Sequence, residues 1–238
     1  MASKVKRFIQ IQLLKVCAFL FVGLLCLQVK PTLANPFNDT VVEINPPFEI
    51  TLKKAGAVRL AGLLYDDTST ALKTLLDKGM RVRVHLLSDK PDRYGRKPAL
   101  VYLKDGRWLQ GELVRQKLAI AYPYPGEESF IRDLYLHETP HAISALENSI
   151  PTDKFAIVEG QVVDVAEIKG KTYLNFGANW RTDFTIMVDK KKAKLFRAYG
   201  FSLPILKGSH MRIRGWVFDQ NGPMIAPQHP SQLEMIKK

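Results

Sequence analysis

The chain has 238 residues, 46% of them hydrophobic and 24% charged, with 35 Lys+Arg against 23 Asp+Glu and a formal net charge of +12. This balance excludes wholesale disorder, and two cysteines are too few for a disulfide scaffold or a cysteine-based zinc module. The excess of base points to anionic partners such as nucleic acid, acidic lipid or another polyanion.

Residues 1–34 read as a signal peptide. Lys4, Lys6 and Arg7 form a basic start, and the uncharged apolar run Val16–Val29 follows. That run is shorter than the roughly 20 residues a membrane-spanning helix needs. Thr32-Leu33-Ala34 places a small residue before Asn35, as a cleavage site requires. The expectation is an exported chain, periplasmic or secreted, with no stable membrane span after cleavage; anchoring by an uncleaved signal is the alternative. Cys17 and Cys26 both lie in this segment, so thiol chemistry is excluded from the remainder. Its five basic residues take the same share of the charge, leaving 30 basic against 23 acidic side chains, or +7.

Residues 35–47, rich in Asn and Pro, read as an irregular lead-in. Alternation at Phe48–Leu52 and again at Val58–Gly62, across a turn holding Gly56, predicts a hairpin. Asp67, Thr68 and Ser69 offer caps for a short helix ending near Gly79. Val82, Val84 and Leu86 alternate with Arg83 and His85 as in a strand, and another strand is expected at Ala99–Leu103. Helical spacing follows over Leu109–Ala119, and after the Pro-rich Tyr122–Gly126 a third helix is expected over Glu128–Leu146. Beyond a linker near Asn148–Thr152, strands are expected at Phe155–Ile168, Thr172–Phe176 and Phe184–Val188. A helix at Lys191–Tyr199 follows, then strands at His210–Phe218 and Met224–Ala226.

Five strands interrupted by one helix in this order suit an OB-type barrel, with a five-stranded sandwich as the alternative. The fold class expected is therefore mainly β with α (α+β), as two OB-type barrels, the first with about three helices. The boundaries are 48–149 for the first unit and 150–238 for the OB-like C-terminal unit.

Asp92-Arg93-Tyr94-Gly95-Arg96, with Ala99–Leu103 behind it, carries the strongest motif of the first unit. Val58–Gly62, Leu113-Val114-Arg115-Gln116 and the pair Tyr122 and Tyr124 accompany it in order. Together these segments resemble the staphylococcal-nuclease-like (thermonuclease) family. Tyr173–Gly177, Trp180–Phe184 and Arg212–Trp216 resemble a C-terminal domain appended to its bacterial members. The resemblance implies phosphodiester hydrolysis, in which two guanidinium groups and a metal balance phosphate charge while a carboxylate activates water. It assigns Arg59 and Arg96 to the catalytic arginines and Asp67 to the water-activating carboxylate. Arg93 and Tyr94 would meet a terminal phosphate, and Tyr122 and Tyr124 would flank the nucleotide.

The resemblance also implies a calcium ion, but Leu64 occupies a metal-ligand position, and Asp67 is one methylene shorter than the family's glutamate. Pro46, Pro47 and Phe48 stand where an acidic pair is expected, with Asp39-Thr40 as a displaced remnant. Calcium takes 6–8 oxygen ligands, so the metal site is expected to be incomplete. The expected function is engagement of nucleic acid with hydrolysis weakened or lost. The competing reading is a non-enzymatic binding or structural protein of the cell envelope.

Two further patterns have plain readings. His137-Glu138-Thr139-Pro140-His141 spells the zinc-protease pattern, which needs both histidines on one unbroken helix, and Pro140 opposes that. Along His210–Phe218, Met211, Ile213 and Val217 are expected on one face. Arg212, Arg214 and Trp216 are expected on the other, as a basic row for single-stranded nucleic acid or a face packed on the neighbouring unit.

Overall fold

Period-two alternation makes strands that are apolar on one side, and such strands bury that side most completely by closing on themselves. A computed structural model describes residues 35–45, 47–64, 71–139, 141–147, 149–179 and 181–236. Residues 1–34, expected as a signal, Asp67, Thr68 and Ser69, expected as helix caps, and Pro140 and Trp180 lie outside the described residues. Asn35–Lys238 forms one compact unit. Among the described residues no helix is long and apolar enough to cross a membrane.

The architecture is mixed α+β, mostly strand. Its first strands are β1 (Phe37–Asn45), β2 (Glu49–Leu52), β3 (Gly56–Leu60), β4 (Leu63–Leu64), β5 (Arg81–Leu86), β6 (Lys97–Tyr102) and β7 (Ile120–Ala121). Five of them close into a barrel in the order β1-β2-β3-β6-β5, with β3 and β6 parallel. Ile50, Leu52, Val58, Leu60, Val82, Val84 and Val101 are its buried lining. The intervening residues, among them Arg81, Arg83 and Arg59, face out.

Residues 37–45 are therefore a strand rather than the irregular lead-in expected. Asp39 is the reason its start is ordered. Its buried carboxylate accepts from the backbone N–H groups of Thr40, Lys54 and Ala55 at 2.7–3.1 Å, tying β1 to the β2–β3 turn. Asp39 thus acts as a backbone tie.

Among the described residues there are three α-helices: α1 (Leu109–Arg115), α2 (Glu128–Tyr135) and α3 (Ala193–Ala198). Two of them belong to the barrel half, together with a single 3-10 turn at Ala71–Thr74. α1 buries Leu109, Leu113 and Val114, and its buried Gln110 bridges Val101 N–H and Ala99 C=O on β6. It stops short of Ala119 because Lys117 adopts a left-handed φ of 60°. α2 ends at Tyr135 instead of running to Leu146. The chain then returns as β8 (Ile143–Ser144), parallel to β9 (Phe155–Gln161). His137 and His141 therefore do not share a helix, and His137 packs edge-on against Trp108 with centroids 5.8 Å apart.

The remaining strands are β10 (Asp164–Ile168), β11 (Lys171–Asn175), β12 (Thr185–Asp189), β13 (His210–Asp219), β14 (Pro223–Ile225) and β15 (Leu233–Met235). They join β8 and β9 in an eight-stranded sheet, ordered β10-β11-β12-β14-β13-β9-β8, with β15 on β13. The long strand expected over Phe155–Ile168 is two strands, and β15 was not expected. A second core, centred on Phe176, Phe184, Phe196, Met211 and Ile213, underlies this sheet.

Arg214 joins the halves. It does not belong to an exposed basic row: it is 1% exposed, whereas Trp216 two residues on is 54% exposed. Its guanidinium pairs with Glu138 and with Glu234 and lies 3.6 Å from the centroid of the Tyr135 ring. Burial works against its charge, but Tyr135, Glu138 and Glu234 together raise its pKa. Glu138 also accepts from Ala121 N–H at 3.3 Å, so one carboxylate spans β7 and β13.

Candidate functional site

The β2–β3 hairpin sets the geometry of the arginine cleft. Its register places Glu49 directly opposite Arg59, on the same side of the sheet. Arg96, just before β6, reaches the same carboxylate, with Nη1 3.5 Å from Glu49 Oε2. The two arginines singled out in the sequence therefore flank one acid. Both are partly open to solvent, at 24% and 23% side-chain exposure.

Each guanidinium has its own holder. Arg59 pairs with Glu127, which is 4% exposed and whose second oxygen accepts from Gly62 N–H at 2.7 Å. Gly62 is required here. Its φ is +76°, and an added Cβ would lie 2.6 Å from the Phe130 ring. Arg96 is held by Asp92, which accepts from Nε at 3.0 Å and Nη2 at 2.8 Å. Asp92 also accepts from the backbone N–H groups of Tyr94 and Arg96 at 2.8 and 3.0 Å, closing the turn at Gly95. Partial burial pushes the Asp92 carboxyl up, but the Arg96 guanidinium and these backbone donors outweigh it, and its pKa falls from 3.8 to about 2. Burial likewise opposes the Arg96 charge, and Asp92 and Glu49 more than offset it, so its pKa rises.

Aromatic rings border the pair. Tyr94, 63% exposed, lies 4.8 Å from the Arg96 guanidinium and 4.7 Å from that of Arg93. Tyr124 lies 5.3 Å from Arg59 and meets Tyr122 edge-on at 4.8 Å. Tyr122 in turn packs edge-on against Phe155 at 5.4 Å, which lies on β9 in the other half. Arg59, Arg96, Arg93, Tyr94, Tyr122 and Tyr124 are thus gathered on one side of the barrel. Asp67 falls outside the described residues. Leu64 pairs with Ile120 in the short β4–β7 ladder.

No protein-family model matches the chain, and comparison with curated proteins found no match.

Two guanidinium groups, Arg59 and Arg96, meet the carboxylates Glu49, Asp92 and Glu127, and a third, Arg93, lies against Tyr94. The acids are committed: Glu127 to Arg59 and Gly62, Asp92 to Arg96 and its own turn, and Glu49 to Arg96. Among the described residues no group of three or more His, Cys, Asp or Glu side chains could hold a metal ion.

Glu49, Glu127 and the holding role of Asp92 were missed in the sequence. The hairpin register would have exposed Glu49, since a three-residue turn at Lys53–Ala55 sets it across from Arg59. No local signal marks Glu127, which reads as one more acid at a helix start.

Proposed function

We propose that the chain is an exported, staphylococcal-nuclease-like protein that engages the phosphodiester backbone of nucleic acid at the Arg59–Arg96 cleft, without calcium-dependent hydrolysis. The observation that carries this reading is a pair of partly exposed arginines, Arg59 on β3 and Arg96 just before the neighbouring β6, set on either side of Glu49 and each held by a carboxylate of its own. An arginine fork held in place loses little freedom on meeting a phosphate and can hold two of its oxygens. Tyr94 and Tyr124 offer ring faces beside it on which a base can stack. The five-stranded closed barrel is consistent with an OB-type fold, and we read the C-terminal sheet as a second OB-like unit. The basic start and short apolar run of residues 1–34 support export.

Hydrolysis is left out because the cleft carboxylates are engaged by arginines and Leu64 brings no oxygen to the place the resemblance gives a metal ligand. The neutral balance of the cleft also favours a second reading, a non-enzymatic protein of the cell envelope in which the arginine pairs serve only to lock the barrel. Purified 35–238 incubated with labelled single-stranded DNA, with and without calcium, separates these. Binding without cleavage, weakened by Arg59→Ala with Arg96→Ala, is the expected result. Calcium-dependent cleavage would restore the hydrolase reading, and absence of binding would leave the structural one.

A further inference from the structure

A second collection of cations lies on a different part of the barrel. Outward residues of β5 alternate Arg81, Arg83 and His85, repeating about every 6.8 Å along the strand. The adjoining β1 brings Asn38 and Thr40 beside Arg83 and Arg81, and β6 brings Tyr102 beside Arg83. The β2–β3 turn adds Lys53 and Lys54, and Lys104 follows β6. These residues line an open groove of about 980 Å³.

The groove carries Lys53, Lys54, Arg81, Arg83 and Lys104 against a single acid, Asp39, whereas cations and acids balance in the cleft. Lys53, Lys54, Arg81, Arg83 and Lys104 are exposed and enter no ion pair among the described residues. The Lys54 ammonium donates to the Asn38 carbonyl, at 2.9 Å. Asp39 is the one acid in the lining, and backbone N–H groups use both of its oxygens. His85 stands in the same wall with its buried Nε2 unpartnered.

We infer that this groove is a binding site for a phosphodiester backbone, holding successive phosphates of an extended single strand along Arg81 and Arg83. The spacing of alternate strand residues suits successive charges on such a strand. Tyr102, the groove's one aromatic ring, is half-buried and packed on Trp108 at 6.4 Å, so the groove reads backbone charge and not base identity. The inference goes beyond the cleft reading and does not depend on it, since the two sites share no residue.

The test uses chain 35–238 and a fluorescein-labelled oligothymidylate, followed by anisotropy over a range of salt concentrations. Neutralising Arg81 and Arg83 together (R81S/R83S) should lower the slope of log affinity against log salt by about 1.4, the counterion release of two phosphate contacts on a single strand. Both side chains are exposed, so the fold should survive, and an unchanged circular dichroism spectrum and urea midpoint check this. An unchanged slope in R81S/R83S would overturn the inference. So would equal dependence of phosphatidylglycerol vesicle binding on the same residues with no oligonucleotide effect. If R59A/R96A binds normally while R81S/R83S does not, the groove stands and the cleft reading falls. The converse result refutes the groove and keeps the cleft.

Discussion

Glu127 ties stability and binding together in opposite directions. Its carboxylate is buried, accepts from Gly62 N–H at 2.7 Å and pairs with Arg59. Glu127→Ala removes a charge-assisted backbone hydrogen bond, worth about 1.5–3 kcal/mol, and strips a partly buried arginine of its partner. Because Arg59 still reaches water, the total expected is about 2–4 kcal/mol. Glu127→Gln keeps the shape and the acceptor for Gly62 but turns an NH2 donor towards the Arg59 guanidinium, and should cost about 1–2 kcal/mol from the lost charge and that lost hydrogen bond. The measurement is the urea midpoint at unchanged m-value. Removing this negative charge also frees Arg59 for a phosphate. Affinity of Glu127→Gln for a single-stranded oligonucleotide should rise about fivefold, a gain of about 1 kcal/mol from one fewer carboxylate beside a bound anion. A Glu127→Gln variant that is less stable and also binds more weakly would refute the reasoning, because the aim that the charged carboxylate gives Arg59 would then outweigh its competition with a bound anion.

Other expectations follow from the same geometry. Asp92 has a folded pKa of about 2 against an ordinary value near 4, so its stabilisation is present above about pH 4 and is lost as pH falls through 2. Being partly exposed, it should contribute about 1 kcal/mol; the gap in urea midpoint between wild type and Asp92→Asn should close at pH 2. Arg214→Met strands Glu138 in a buried site and should destabilise the fold by about 3–5 kcal/mol, with much of the loss recovered when Glu138→Leu is added. Gly62→Ala meets the Phe130 ring and a left-handed backbone at once, and should lower the thermal midpoint strongly, whereas Gly95→Ala, with open space at its Cβ, should cost only about 1 kcal/mol.

The β2–β3 hairpin and β5 were legible because they follow a period of two: Val82, Val84 and Leu86 are buried and alternate with Arg81, Arg83 and His85. The helices were less so. Periodicity alone extended α1 and α2 past their ends, because Lys117 turns the chain by a left-handed φ that its residue type does not advertise. Near Pro140 the chain leaves helical geometry for β8 instead of kinking and continuing. β1 was missed because Asn and Pro suggest a loop, while its order comes from Asp39 capping a turn fifteen residues away.

The arginines of the candidate cleft were visible as a motif. Their carboxylate partners were not, since Glu127 is 68 positions from Arg59 and no local pattern couples them. Arg214 shows the same limit in reverse: alternation placed it on the side of Trp216, and only the tertiary packing of α2 against β13 decides that this side is buried at one position and open two residues later.

The central claim is that Arg59 and Arg96 together receive one phosphate. Its most direct test is the salt dependence of oligonucleotide affinity in wild type and in Arg59→Ala with Arg96→Ala. The account predicts weaker binding and a slope shallower by about 0.7, one phosphate contact on a single strand. Wild-type affinity and an unchanged slope in that variant would contradict it.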